Sequence, residues 1–192
     1  MLSYLIDLDT RLFLFLNGMH SEGADHIMWL ASGKYTWTPL YLLILAWLVF
    51  RFRKLSLLIL PMVIILITIS DQMSSHLFKI FFERLRPCHE PELAGLVHLV
   101  NNYCGGSYGF VSSHAANTAA MAMFTALLFK RRYYTWFIFL WAAFVSYSRI
   151  YLGVHYPGDV LGGFLLGILL GWLIMRLMTW ALTGINKKPL KE

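Results

Sequence analysis

Long apolar runs, each closed at an end by a small group of charges, set the rhythm of this 192-residue chain. Leu2–Asn17 is apolar on a helical period but carries Asp7, Asp9 and Arg11. It falls short of the roughly 20 apolar residues that a span needs and is predicted to lie at a membrane interface. Asn17–Gly18 breaks it. A second short helix is predicted from about Ala24 to Ser32, ended by Gly33, with Asp25 and His26 read as interfacial polarity. Thr36–Phe50 is the first predicted span. Leu55–Ile80 returns, with Pro61 as its expected kink. Phe81–Val111 is rich in Pro, Gly and Asn and reads as a long loop. Three more runs follow, over His114–Phe129, Tyr133–Tyr147 and Val160–Trp180. The predicted fold is all-α: one membrane-embedded domain over residues 1–192, with five spanning helices and short N-terminal interfacial helices. A sixth span built from Leu2–Ser32 is the alternative.

Composition strengthens the membrane reading. The chain is 58% hydrophobic and 14% charged, with mean hydropathy +0.61, against roughly 25% charged residues in soluble domains. The net charge of +6 does not form a nucleic-acid footprint. Its basic residues instead gather at the ends of apolar runs: Arg51, Arg53 and Lys54; Lys130, Arg131 and Arg132; Lys187, Lys188 and Lys191. Positive-inside bias makes all three cytoplasmic. No cleavable leader is expected, because Met1–Thr10 lacks a basic start and holds two aspartates. Gly163, Gly167 and Gly171 recur every four residues, a spacing that lets helices approach closely, read here as internal packing ahead of dimerisation.

Three polar stretches then stand out at the outer ends of helices. Lys79 and Arg86 form K-x6-R-P, with Arg84 beside them. A compact ammonium and a planar guanidinium suit phosphate oxygens, although snorkelling interfacial cations would look the same. The helix before them is expected to end near Arg86, since Pro87 restricts its predecessor. Asp71, Ser75 and Lys79 share one helical face, expected to look into the bundle. Ser112, Ser113 and His114 precede a helix whose N-terminus favours an anion, and His114 is a candidate proton donor. Ser148-Arg149, His155 and Asp159 complete the set. Four-residue spacing can put the Asp159 carboxylate beside the His155 imidazole, freeing the other ring nitrogen to attack. The same pair can be purely structural or hold a metal, but no further ligand cluster of clear spacing completes a metal site. Cys88 and Cys104 both fall in the outer loop, where an oxidising compartment permits a disulfide.

Taken together, K-x6-R-P, S-S-H and S-R-x5-H-x3-D resemble the signature of the type 2 phosphatidic acid phosphatase superfamily, which holds membrane lipid phosphatases and soluble vanadium haloperoxidases. The resemblance covers roughly Asp71–Gly171. Where the family reads P-S-G-H, this chain has Val111 for the Pro and Ser113 for the Gly. By this resemblance Lys79, Arg86, Ser112, Ser113 (through its backbone N–H) and Arg149 bind phosphate. His155 is the nucleophile, Asp159 orients it, and His114 protonates the leaving group. No cofactor or metal is implied. The expected substrate is a lipid phosphomonoester or diphosphate, with undecaprenyl diphosphate first and phosphatidylglycerophosphate, phosphatidic acid or lipid A phosphate as alternatives. The expected partners are membrane lipids, and the expected location is the bacterial inner membrane with the site facing the periplasm or exterior. An anionic-lipid transporter or flippase using the same charges is the reading from another class.

Overall fold

The computed structural model describes Leu2–Asn186; the expectation for Lys187, Lys188 and Lys191 lies outside the described residues. Eight α-helices account for most of the chain, and no strand occurs among the described residues. Helices α1 (Leu2–Gly18) and α2 (Glu22–Ala31) are the two short N-terminal elements, α2 being capped by the Ser21 hydroxyl. Helix α3 (Thr38–Phe52) opens with Pro39 in its first turn and stops at Arg53, which takes φ +47°. Helix α4 (Ser56–Gln72) follows after a single 3-10 turn. The residues Met73–Leu77 wind as a π turn before α5 (Phe78–Phe82). Helices α6 (Ser113–Phe129), α7 (Arg132–Tyr151) and α8 (Pro157–Asn186) complete the bundle.

Two expected boundaries move. The helix before K-x6-R-P ends at Phe82 rather than near Arg86, because Glu83 turns left-handed (φ +45°) and closes it. Arg86 is nonetheless extended, as a residue before proline should be. Helix α7 runs to Tyr151, four residues past its apolar run, and so carries Ser148 and Arg149.

Helix α6 is the axis of the bundle. Ala115, Ala116, Ala119, Ala120, Ala122 and Phe124 are all fully buried on it, so small side chains occupy nearly every face. Helix α8 lies against it through the Gly163, Gly167 and Gly171 stripe. A Cβ on Gly163 or Gly167 would run into the Ser112 or Ala116 carbonyl, and one on Gly171 would lie 2.6 Å from the Ala120 carbonyl. The stripe therefore packs inside the chain, as small residues at that spacing allow.

The bundle has two distinct ends. At one, the α3–α4 turn carrying Arg53 and the α6–α7 turn carrying Lys130 come together, with Trp47 stacked on Phe129 at 4.0 Å and Phe52 beside it. The other end holds the N-terminus of α6, the C-terminus of α7 and the loop 83–112. The outer flanks expose Leu43, Phe50, Leu57, Ile64, Leu140, Leu165 and Trp180, more apolar surface than water tolerates. The segments Thr38–Phe82 and Pro157–Thr183 are long and apolar enough to cross a membrane.

Candidate active site

One cavity of about 690 Å³ opens at the end away from the basic turns. Lys79, Arg86, Ser113, His114, Arg149 and His155 all line it. These six come from three stretches far apart in sequence. Ser112 and Asp159 stand behind the wall, both fully buried. The Ser112 N–H donates to the Asp159 carbonyl at 3.0 Å, and its Oγ has no partner. Of the expected phosphate ligands, Ser112 is thus the one that the cavity does not reach.

Each cation is held by a different device. Lys79 sits on α5, two residues beyond the π turn, a helix irregularity common at functional sites. Its Nζ donates to Ser113 Oγ at 3.4 Å, and the same hydroxyl lies 2.9 Å from Ser75 Oγ. The side chain that replaces the family's glycine therefore ties the π turn and α5 to α6. One turn further from the site, on α6 and α4, Asn117 Nδ2 donates to Asp71 Oδ1 at 3.2 Å. The polar face of α4 does look inward.

Arg86 projects from the loop. Its Nη1 donates to the Cys104 carbonyl at 3.0 Å and its Nε to the Tyr108 carbonyl at 3.2 Å. Cys88 and Cys104 are joined by a disulfide with Cα atoms 5.9 Å apart, so the bridge fixes one of those carbonyls. Gly109 lets the loop pass between Arg86 and the carboxylate behind it; a Cβ there would lie 2.8 Å from Asp159 Oδ2. Arg149 comes from the bundle. It is 5% exposed, its Nη1 donates to Ser32 Oγ, and its Nε has no partner.

His155 lies in the short link between α7 and α8. Pro157 opens α8, and Asp159 reaches back from its first turn. Asp159 Oδ2 accepts the Tyr156 N–H at 3.0 Å and stands 3.5 Å from His155 Nδ1. With Nδ1 toward Asp159, Nε2 is the nitrogen on the cavity side. Burial pushes the His155 imidazole well below its ordinary range, and the positive charges of Arg86, Arg149 and Lys79 push it further. The ring is therefore neutral, with a lone pair available at neutral pH. The chemistry on offer is a neutral imidazole aimed into a pocket of fixed cations, beside a second imidazole on a helix N-terminus. That arrangement suits attack on an anionic phosphorus centre.

Several supports were not legible beforehand. Ser32 is the cap of α2, with no sequence mark tying it to Arg149. Asp25, read as interfacial polarity, in fact accepts from the Tyr151 hydroxyl at 2.6 Å and lies 2.9 Å from His98 Nε2. Asn17, read as a helix break, bonds the Tyr151 carbonyl at 2.7 Å and the His98 backbone N–H at 2.8 Å. Together they clamp α1, α2 and the loop onto the end of α7. Arg84, expected beside Lys79 and Arg86, turns away from the cavity toward Asp159 Oδ1 at 2.8 Å. An Asn at a helix end and an Asp on a predicted surface face carry no distinguishing pattern.

Residues 56–182 match the family model of the PAP2 superfamily. The chain is 43% identical over 175 residues to the lipid A 4'-phosphatase of Bacteroides thetaiotaomicron, covering 90% of this chain and 78% of that protein. It is 35% identical over 86 residues to the undecaprenyl-diphosphatase BcrC of Bacillus subtilis, covering 45% of this chain and 43% of that one. Among solved structures, Aquifex aeolicus LpxE superposes with a TM-score of 0.67 at 27% identity, over 88% of this chain and 95% of that chain.

Proposed function

Since this chain belongs to the PAP2 superfamily and is a membrane lipid phosphatase, we propose that it removes a phosphomonoester from a glycolipid of the lipid A type through a phosphohistidine on His155. The observation that carries the reading is the meeting of Lys79, Arg86, Arg149, His114 and His155 around one cavity. His155 Nε2 attacks phosphorus. The bond from phosphorus to the lipid oxygen breaks as His114 gives that oxygen a proton. Lys79, Arg86, Arg149 and the Ser113 backbone N–H hold the three remaining oxygens, whose charge grows toward the transition state. Water, deprotonated by His114, then displaces His155 and releases inorganic phosphate. Asp159 keeps the ring oriented in both steps. The three cations supply the neutralising charge, so dialysis against EDTA is expected to leave activity intact; activity lost to EDTA and restored by one metal would require a different site.

The preference for a monoester on a sugar over undecaprenyl diphosphate rests on the far side of the cavity. Asn117 lines it one helical turn, about 5 Å, beyond Ser113, and Asp71, two turns before Lys79, lines it beside Asn117. Asn117 Oδ1 is buried without a partner, and the hydrogen bond from Asn117 uses one oxygen of Asp71. Free acceptors suit hydroxyl or amide donors beside the phosphate, whereas a carboxylate there repels a second phosphate group. The relative named as a lipid A 4'-phosphatase is also 43% identical over 90% of the chain, whereas the relatives named as undecaprenyl-diphosphatases match at 35% over 45% and at 29% over 81% of it. Helices α3, α4, α6, α7 and α8 are read as spans, with the basic turns cytoplasmic and the cavity at the outer face of the inner membrane.

Phosphate release by detergent-purified protein is the test. Wild type should release it and His155→Ala should not, while both show the same melting temperature. Turnover by a folded His155→Ala protein would end the nucleophile role. Lipid moved without phosphate release would favour a transporter. A panel of lipid A 4'-phosphate, undecaprenyl diphosphate, phosphatidylglycerophosphate and phosphatidic acid, scored by kcat/KM, tests the substrate. Asp71→Ala should cost most on the first of these.

A further inference from the structure

Behind the cavity a chain of charges runs from the site to the N-terminal helix. Asp159 Oδ1 accepts from Arg84 Nη1 at 2.8 Å, and Arg84 Nη2 donates to Asp9 Oδ2, also at 2.8 Å. The second Asp9 oxygen accepts the Gly158 N–H, again at 2.8 Å, in the first turn of α8. The Arg84 guanidinium lies 4.1 Å above the Tyr156 ring, which Phe13 of α1 meets edge-on at 5.4 Å. Asp9 is 16% and Arg84 26% exposed at the side chain, so the pair is mostly withdrawn from solvent. Arg84 does not line the cavity, and carboxylates occupy both of its terminal nitrogens. It is not placed to bind substrate.

We propose that Asp9 is a positioning residue for the phosphatase reaction, acting on His155 through Arg84 and Asp159. The reason is the shape of the guanidinium. Arginine and a carboxylate prefer a two-pronged pairing in which both terminal nitrogens meet both oxygens. Left alone, Arg84 would take both oxygens of Asp159. Asp9 claims one prong, so Arg84 meets Asp159 end-on through Oδ1, and Oδ2 stays facing His155 Nδ1 at 3.5 Å. Asp9 also holds the amide of Gly158, the neighbour of Asp159, and so fixes both the carboxylate and the turn that carries it. Gly158 has no Cβ to keep Asp9 away; one would lie 2.7 Å from Asp9 Oδ2. The α1 helix, which sequence alone casts as a passive interfacial element, thereby becomes part of the apparatus that aims the nucleophile.

This proposal rests on His155 being the attacking group, so His155→Ala is measured beside the Asp9 variants on the same lipid phosphate in detergent. Asp9→Ala should lower kcat by about 10- to 100-fold, the range found when a partner that orients a metal-ligating residue is lost, with KM within about twofold. Asp9→Asn keeps an acceptor for the Gly158 amide but loses the charge that holds Arg84, and should lose about half of that effect on a logarithmic scale. In an Arg84→Ala background, adding Asp9→Asn, which leaves the Gly158 amide its acceptor, should change kcat by less than about twofold, because residues acting through one partner are not additive. Asp9→Ala at wild-type kcat, a change confined to KM, or full additivity of Asp9→Asn with Arg84→Ala would each overturn the proposal. So would Asp9→Asn at wild-type kcat, which would reduce Asp9 to a helix cap. If Asp9→Ala does not fold, the isosteric Asp9→Asn carries the kcat test as well as the additivity test. A live His155→Ala would instead overturn the reading beneath it, whatever the Asp9 variants do.

Discussion

The two sides of the cavity hold their charges by different means. On the bundle side, Arg149, His114 and Lys79 stand on the ends of helices whose packing fixes the backbone. Helix α8, which carries Asp159, approaches α6 so closely that a Cβ on its glycines would collide with the Ser112, Ala116 and Ala120 carbonyls. On the loop side, Arg86 has no such platform. It depends on the carbonyls of Cys104 and Tyr108 and on the disulfide between Cys88 and Cys104. Helix packing positions a group through many small contacts, none decisive by itself. A loop positions it through two or three bonds, each of which matters. The bundle side should therefore tolerate remote change but not chemical change at its cations, and the loop side should respond to loss of its bridge.

Arg149→Lys is expected to have the largest effect. An ammonium cannot bond Ser32 and present a second donor to phosphate in the same plane. Loss of one fixed transition-state donor costs about 10²- to 10³-fold in rate. A kcat/KM within about threefold of wild type would show that the bundle side is more adaptable than its packing implies. Next comes the Cys88→Ser, Cys104→Ser double variant. A bridge over a loop of this size contributes roughly 3 kcal/mol in the chain-entropy model. With the Tyr108 carbonyl still in place, kcat/KM should fall only about tenfold, and reduction with dithiothreitol should match the double variant. No change on reduction would remove the bridge from the account of Arg86.

Gly167→Ala probes the bundle more gently. The added carbon meets the Ala116 carbonyl, and overpacking of this kind costs about 1–3 kcal/mol. In a chain of this size each kcal/mol is worth roughly 2–4 °C in Tm. The melting temperature should drop by several degrees with kcat nearly preserved. Gly18→Ala, where a Cβ meets nothing within 4 Å, should leave Tm within about 2 °C, since surface changes away from such features are small. Equal shifts in the two variants would undo the claim of close α6–α8 contact. The smallest effect is expected from pH. His155 attacks as the neutral ring, and its environment lowers its proton affinity. A ring at its ordinary value near 6.5 would lose roughly threefold of its neutral form between pH 7 and pH 6. Here kcat/KM, corrected for ionisation of the substrate phosphate, should hardly move over that interval and should fall only under more acidic conditions. A threefold loss by pH 6 would place His155 in an ordinary environment.

The contrast between the two sides also marks what sequence could reveal. Lys79, Arg149, His155 and Asp159 were legible because a charge beside an apolar run is costly unless used, and because spacing fixes the face of a helix. The glycine stripe was legible for the same geometric reason. The end of α5 at Phe82 was not, because it depends on Glu83 adopting a left-handed conformation that no motif announces. Nor was the reach of Asp9, Ser32 and Asn17 into the site. Their partners lie on other elements, and only tertiary packing brings them together. The substitution of Ser113 for the family's glycine was visible, but its use was not: the hydroxyl meets Ser75 and Lys79 only once the π turn and α5 lie against α6.

The central claim is that phosphate passes through His155. Wild-type protein mixed with a lipid phosphate carrying ³²P and quenched within one turnover should yield labelled protein. The label should resist alkali, be lost in acid, map to the peptide containing His155, and be absent from His155→Ala. Turnover at the normal rate with no labelled protein at any quench time would contradict the account and point to direct attack by water.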